Sequence, residues 1–243
     1  MILCYTFYEV PTKLATQGLT VTLMNQIFIA NPKGGCGKTT ISTQIAGYYA
    51  NLGYRVLLVD HDAQKSSSDW LASRPARCSS IQLRATTVET PVSDGEAEVV
   101  VHDMPAAWSL DHVADIIHAG DKVLVPVLSS PTDIKACLRF LMELYRSGIF
   151  EAGIRMGMVA NRSREHTRYY KILIEFLERL ESPLVANLRD TQNYVRAMDR
   201  GLTIFDLPES RVAADLAQWQ PIFDWLDVAP PANPLRTAEA LAV

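Results

Sequence analysis

Pro32-Lys33-Gly34-Gly35-Cys36-Gly37-Lys38-Thr39-Thr40 gathers glycines, lysines and hydroxyls into one short stretch. Glycine lacks the Cβ that would hold a backbone amide away from an anion, and it accepts left-handed conformations that turn successive N–H groups inward. Lys38, placed directly after the last glycine, can bring a point charge to the β and γ phosphates of a nucleotide. The Thr39 hydroxyl then falls where Mg²⁺ would be coordinated. These residue types at these offsets point to ATP·Mg²⁺ held by Lys33, Gly34, Gly35, Cys36, Gly37, Lys38, Thr39 and Thr40. Cys36 sits at the start of the expected helix, where a thiol pKa tends to fall.

Three carboxylates end apolar runs: Asp60 and Asp62 in Val56-Leu57-Leu58-Val59-Asp60-His61-Asp62-Ala63-Gln64, and Asp103 in Val99-Val100-Val101-His102-Asp103-Met104-Pro105-Ala106. A carboxylate at the end of a buried strand beside a γ phosphate can orient the attacking water or support the metal shell. Asp103 is assigned to Mg²⁺ through water. His102 reads as a packed side chain.

Positioning these groups requires a strand running into the glycine loop and a helix leaving it. The chain supplies both, alternating short β-branched runs with longer helical patterns, as a parallel sheet wrapped by helices does. Strands are expected at Gln26 to Asn31, Arg55 to Asp60, Ile81 to Arg84, Val99 to Asp103, Lys122 to Val127, Arg155 to Asn161 and Leu184 to Ala186. Helices are expected at Thr39 to Leu52, Ser109 to Ala119, Thr132 to Arg146, Thr167 to Leu180, Tyr194 to Arg200 and Arg211 to Leu226, with Ser130 or Thr132 as an N-cap. The fold class is α/β: a P-loop NTPase with a mostly parallel twisted sheet covered by helices on both faces.

The 243 residues suit one domain, placed at 24–227. Residues 1–23 read as an N-terminal arm or an over-long start, because Met24 stands just before the first strand. Residues 228–243 carry Pro230, Pro231 and Pro234 and are expected to be disordered. A net charge of -4 argues against a globally basic nucleic-acid binder while leaving room for a local basic face. The four cysteines form no C-x-x-C pair, and no run approaches the about 20 apolar residues of a membrane span.

Where an ordinary P-loop begins with glycine this chain has Pro32, followed by an added lysine, Lys33. Lys33-Gly34-Gly35-x-Gly37-Lys38-Thr39 resembles the deviant Walker A box of the ParA/MinD superfamily. In that superfamily the early lysine reaches the nucleotide of a dimer partner and does what an arginine finger does. The box around Asp60 and Asp62 is similar to the family's second acidic box, with Ala63 where proline is usual. The resemblance makes Asp62 the residue that positions or activates water and makes Asp60 a support of the Mg²⁺ shell. Lys33, Lys38 and Asp62 are thus the catalytic set, and Thr39, Asp60 and Asp103 the metal set. Val159-Ala160-Asn161-Arg162 looks like the strand end used near adenine, which assigns Asn161 and Arg162 to the nucleotide. Leu188-Arg189-Asp190 with Ala197, Gly201, Ile204 and Phe205 resembles the closing pattern. In all, the resemblance runs from about Gln26 to Leu226.

Within the superfamily, an iron–sulfur reductase needs paired cysteines, a division-site relative needs a basic amphipathic end, and a tyrosine kinase needs a terminal tyrosine cluster. The chain carries none of these. It looks most like the small ParA (ParF-type) partition ATPases and their carboxysome-positioning, McdA-like relatives. Such proteins form an ATP sandwich homodimer, bind nucleoid DNA non-specifically and hydrolyse ATP when a cargo-bound adaptor stimulates them. The resemblance therefore implies a ParB-like or McdB-like adaptor, a cytoplasmic and nucleoid-associated location and no membrane partner, with Arg189, Arg196 and Arg200 as DNA phosphate contacts. The competing class is a metabolic ATP-dependent ligase or synthetase of the same fold, which would need a second substrate pocket.

Overall fold

Short apolar runs become the inner strands here because both faces of those strands are covered, so no polar alternation is needed. The computed structural model describes residues 25–87, 97–106, 116–148, 151, 153–164, 166–179 and 183–231. Its strands are β1 (Asn25–Ile29), β2 (Val56–Asp60), β3 (Gln82–Ala85), β4 (Val99–Asp103), β5 (Lys122–Leu128), β6 (Arg155–Ser163) and β7 (Leu184–Arg189). They form one seven-stranded sheet in the order β3-β2-β4-β1-β5-β6-β7, with every pairing parallel. The helices are α1 (Lys38–Asn51), α2 (Ser66–Ala72), α3 (Pro131–Arg146), α4 (Arg168–Glu178), α5 (Gln192–Met198) and α6 (Glu209–Leu226), with a 3₁₀ turn at Ile204–Asp206.

Side chains of the central strand alternate between two cores, as the period of two dictates. Ile27 and Ile29 join Ile41, Ile45, Leu58, Val101, Trp219 and Ile222 on one face. Phe28 and Ala30 join Val123, Val125, Phe140, Leu141 and Leu173 on the other. Strands β4 and β2 follow in turn on one side of this centre and are buried throughout, and their register aligns Asp60 with Asp103. Both carboxylates therefore leave the sheet at its carboxyl edge, where α/β folds gather ligands. The edge strand β3 is mostly exposed, which explains its polar composition.

Local signals fix several ends. Ser130 caps α3 by accepting from the Asp133 amide at 3.2 Å, with Pro131 in the first turn. Thr167 and Thr191 cap α4 and α5 in the same way. Helix α2 was not expected, because three serines followed by Asp69 carry no apolar period; it is held by Trp70, whose indole is buried and donates to the Leu202 carbonyl at 3.2 Å. Helix α6 begins earlier than expected and continues through Pro221, and β7 runs on to Arg189. The expected arm at 1–23 and most of the expected helix at Ser109 to Ala119 lie outside the described residues. Of the expected tail only residues 228–231 are described, and Tyr54 donates to the Ala229 carbonyl at 3.1 Å.

A buried clamp joins α2 to the segment after α5. The Arg74 guanidinium donates to Asp206 at 3.0 and 3.4 Å, and both side chains are more than nine-tenths buried. Asp206 also accepts from Asn51 at 3.0 Å and from the Thr203 amide and hydroxyl at 2.7 and 2.8 Å. Gly201, at φ 64°, lets the backbones touch: a Cβ there would sit 2.4 Å from the Arg74 nitrogen. Removing one partner of a buried pair strands the other charge, at a cost of about 3–5 kcal/mol. Arg74→Met is therefore expected to lower the urea midpoint by that equivalent; an unchanged midpoint would show that the pair contributes nothing net.

Candidate nucleotide site

The glycine loop connects β1 to α1 under several restraints. Asn31, 1% exposed, donates from Nδ2 to the Pro126 carbonyl at 2.7 Å and accepts the Lys33 amide at 2.8 Å, locking the loop entrance to β5. Gly35 and Gly37 adopt left-handed φ angles of 76° and 96°. At Gly37 no side chain is possible, since a Cβ would lie 2.2 Å from Asn161 Nδ2. That same amide nitrogen donates to the Cys36 carbonyl at 2.7 Å. Asn161, expected near adenine, thus braces the far side of the phosphate loop.

The two lysines behave differently. Lys38 is buried, and its Nζ donates to the Lys33 carbonyl at 3.2 Å, curling the ammonium across the loop. Lys33 is exposed. One lysine is built into the cradle, while the other stands at its rim. Cys36 donates from Sγ to the same Lys33 carbonyl at 3.2 Å, and burial pushes its thiol above the ordinary range, opposite to the fall that its place at a helix start suggested.

Asp103 is buried, and its Oδ2 makes no hydrogen bond. Ser42 Oγ lies 3.3 Å from Oδ1. Burial raises this carboxyl to about 6, and the nearby Thr39 and Ser67 hydroxyls only partly offset the rise. An orphaned, dehydrated carboxylate oxygen beside the first hydroxyl of α1 fits a cation and its water, so Thr39 and Asp103 could hold Mg²⁺.

Asp60 is bonded differently. Its Oδ1 accepts the Asp62 amide at 3.0 Å and its Oδ2 accepts the Ser68 amide and hydroxyl at 2.9 and 2.5 Å. Both oxygens are engaged by protein donors, and Asp60 organises the loop that leads into α2. The loop also holds Lys65 at φ 55°. Asp62 remains half-buried, accepts the Gln64 amide at 2.9 Å and faces the cavity.

Behind the two carboxylate-bearing strands, His102 stacks on Phe28 at 4.0 Å between ring centroids. Its Nδ1 and the Nε2 of His61 lie 2.9 Å apart, and its Nε2 lies 2.8 Å from Gln26 Oε1. Burial lowers the pKa of both imidazoles, which favours their neutral forms. His102 is thus a packed side chain.

A cavity of about 490 Å³ opens over the loop. Gly34, Gly35, Gly37, Lys38, Thr39 and Thr40 line its floor, and Asp62, Gln64 and Ser66 line one wall. The other wall comes from Asn161, Arg162, Asp190 and the start of α5, including Gln192 and Tyr194. The α5 wall escaped sequence reasoning because nothing in Thr191-Gln192-Asn193-Tyr194 marks a ligand contact. Arg162, at φ 48°, and Arg164 bridge to Asp190 at 3.5 and 2.8 Å, and Arg164 leads in holding that carboxyl below its ordinary range.

The three arginines expected to meet DNA separate. Arg189 Nε donates to Asp215, a fully buried carboxylate, at 2.5 Å, and Asn193 donates to the other oxygen at 2.6 Å. Its charge answers a buried anion, so it is not a free phosphate contact. Arg196 and Arg200 are exposed, and neither forms an ion pair among the described residues.

A parallel sheet whose central strand enters a glycine-lysine loop, with a helix opening on that loop and a buried carboxylate on the adjacent strand, defines a P-loop nucleotide-binding protein. Residues 27–204 match the CobQ/CobB/MinD/ParA nucleotide binding domain, and the chain belongs to that family. It is 29% identical over 195 residues to the maintenance of carboxysome distribution protein A of Halothiobacillus neapolitanus, covering 77% of this chain and 90% of that protein. Among solved structures, a putative plasmid partition protein of Borrelia burgdorferi bound to AMPPNP superposes with a TM-score of 0.62 at 14% identity, covering 83% of this chain and 99% of that one. An alanine variant of Cyanothece McdA in complex with ATP superposes with a TM-score of 0.57 at 18% identity, covering 90% of this chain and 97% of that one. No helix among the described residues is long and apolar enough to cross a membrane.

Proposed function

We propose that this chain is a partition or positioning ATPase that dimerises around ATP, binds DNA without sequence preference and distributes a cytoplasmic cargo with an adaptor protein. One observation carries the reading: Lys38 is folded into the phosphate cradle while Lys33, five residues earlier, stays exposed at its rim. A lysine that served its own nucleotide would be drawn inward. One at the rim is placed to reach a nucleotide held by a second copy. The likeness to proteins named for carboxysome distribution and plasmid partition supports the same class.

In this reading Lys38 and the loop amides bind the β and γ phosphates, and Asp62 orients a water. The water oxygen attacks the γ phosphorus, the β–γ bridging P–O bond breaks, ADP leaves and the water proton passes to solvent or to Asp62. Mg²⁺, when held by Thr39 and Asp103, would neutralise charge on the phosphate oxygens. Lys33 of the partner subunit adds positive charge where it develops. Loss of the γ phosphate removes what Lys33 contacts, so the dimer opens. Arg196 and Arg200 are the DNA contacts retained in this proposal.

A pulldown on random-sequence DNA tests the class: retention is expected with ATP and Mg²⁺ and not with ADP, and should decline log-linearly with salt. Asp62→Ala should stay on the DNA after ATP is added, because the gate cannot open. DNA binding indifferent to nucleotide would remove the partition reading and favour a metabolic ATPase.

A further inference from the structure

Helix α3 carries an apolar face wider than its core requires. Cys137, Phe140, Leu141 and Leu144 are buried against the sheet. A helix on a sheet usually turns polar just outside such a stripe. Here Leu138, Met142 and Tyr145 continue it instead, and they are 38%, 47% and 45% exposed. At about 100° per residue these three fall within about 60° of one another around the axis. The next sector, about 40° wide, holds Lys135, Arg146 and Arg139. All three cations are exposed, and none forms an ion pair among the described residues.

An exposed apolar row with a charged border has the anatomy of an interface: a core that excludes water, and a rim that steers and selects. We propose that this face of α3 docks an acidic amphipathic segment of a partner protein. Its apolar side chains cover Leu138, Met142 and Tyr145 while its carboxylates meet Lys135, Arg139 and Arg146. The cation row singles out that occupant. In a protein of net charge -4 it is a local reversal of sign, and an antiparallel pairing with a second copy would set the row against itself. The surface is independent of the nucleotide reading, since no α3 residue lines the phosphate cavity.

Panning a phage-displayed library of random peptides against the immobilised full-length chain tests this, followed by fluorescence anisotropy with the strongest peptide. Selected sequences should carry leucine or phenylalanine at helical spacing with aspartate or glutamate along one flank. Affinity should fall about tenfold or more in Leu138→Ser/Met142→Ser, and similarly in Lys135→Glu/Arg139→Glu/Arg146→Glu. It should weaken with salt in the wild type and stay unchanged in Arg179→Ala. The charge variant changes only exposed residues, so it keeps the test open if the serine variant is poorly folded. Peptides without acidic enrichment, or binding indifferent to both variants, would overturn the proposal. So would self-association lost in the variants, which would assign the face to a second copy, or binding to phosphatidylserine vesicles lost in them, which would assign it to a lipid surface.

Discussion

Alanine at Lys33 is expected to slow ATP turnover by about 10³-fold or more while nucleotide binding falls by less than about tenfold. The asymmetry follows from where the two lysines sit. Lys38 Nζ is buried within the loop, 3.2 Å from the Lys33 carbonyl, and stays there when the Lys33 side chain is removed. The loop itself is held by groups that the substitution leaves in place: Asn31 at its entrance, Asn161 against the Cys36 carbonyl and the left-handed glycines. What disappears is an exposed cation, which the proposed mechanism assigns to the nucleotide of a second copy. Steady-state hydrolysis and sedimentation with a slowly hydrolysed ATP analogue check this together. A variant that still dimerises with the analogue and turns over within threefold of wild type would leave Lys33 as surface charge and remove the trans contact from the mechanism.

Asp103→Asn is expected to act in opposite directions on activity and stability. Hydrolysis should fall by about 10²-fold or more, because the amide is a poorer partner for Mg²⁺ and its water. The nucleotide-free protein should become more stable above neutral pH. Burial lifts the Asp103 carboxyl from 3.8 to about 6, so the folded chain holds this proton more tightly than the unfolded chain does. Its contribution is therefore most favourable below about pH 4 and is lost as pH rises through about 6, a penalty on the order of 3 kcal/mol once fully ionised. Asparagine removes the charge without enlarging the side chain. Thermal melts without Mg²⁺ should show the variant ahead of wild type near pH 8 and level with it near pH 4. A variant less stable than wild type near pH 8 would mean that the lone oxygen is better solvated than its burial implies.

The glycine loop and the helix that leaves it were legible because their signals are local. Glycine, lysine and threonine offsets in one stretch specify a loop and a helix start, and apolar runs ending in aspartate specify the strands beside it. The sheet followed for the same reason, with Val99–Asp103 expected at the observed boundaries. What could not be read depends on contacts between distant residues. Helix α2 exists because Trp70 and Arg74 find partners about 130 residues further along the chain, at Leu202 and Asp206. Arg189 looked like one of several surface arginines until Asp215, buried on α6, took its charge. Asp60 and Asp103 have similar sequence surroundings, but the Asp62 amide and the Ser68 amide and hydroxyl engage both oxygens of one, while Oδ2 of the other has no partner.

The tie between Arg74 and Asp206 has a mechanical consequence. On one side of it, α2 continues from the stretch that bears Asp62; on the other, Thr203 and Gly201 lead back to α5, the element with Arg196. Neither arm of this lever can swing alone without exposing a buried ion pair. In the proposed cycle, any displacement of the Asp62 stretch that carried α2 with it would have to move the segment leading to α5 as well, or break this pair.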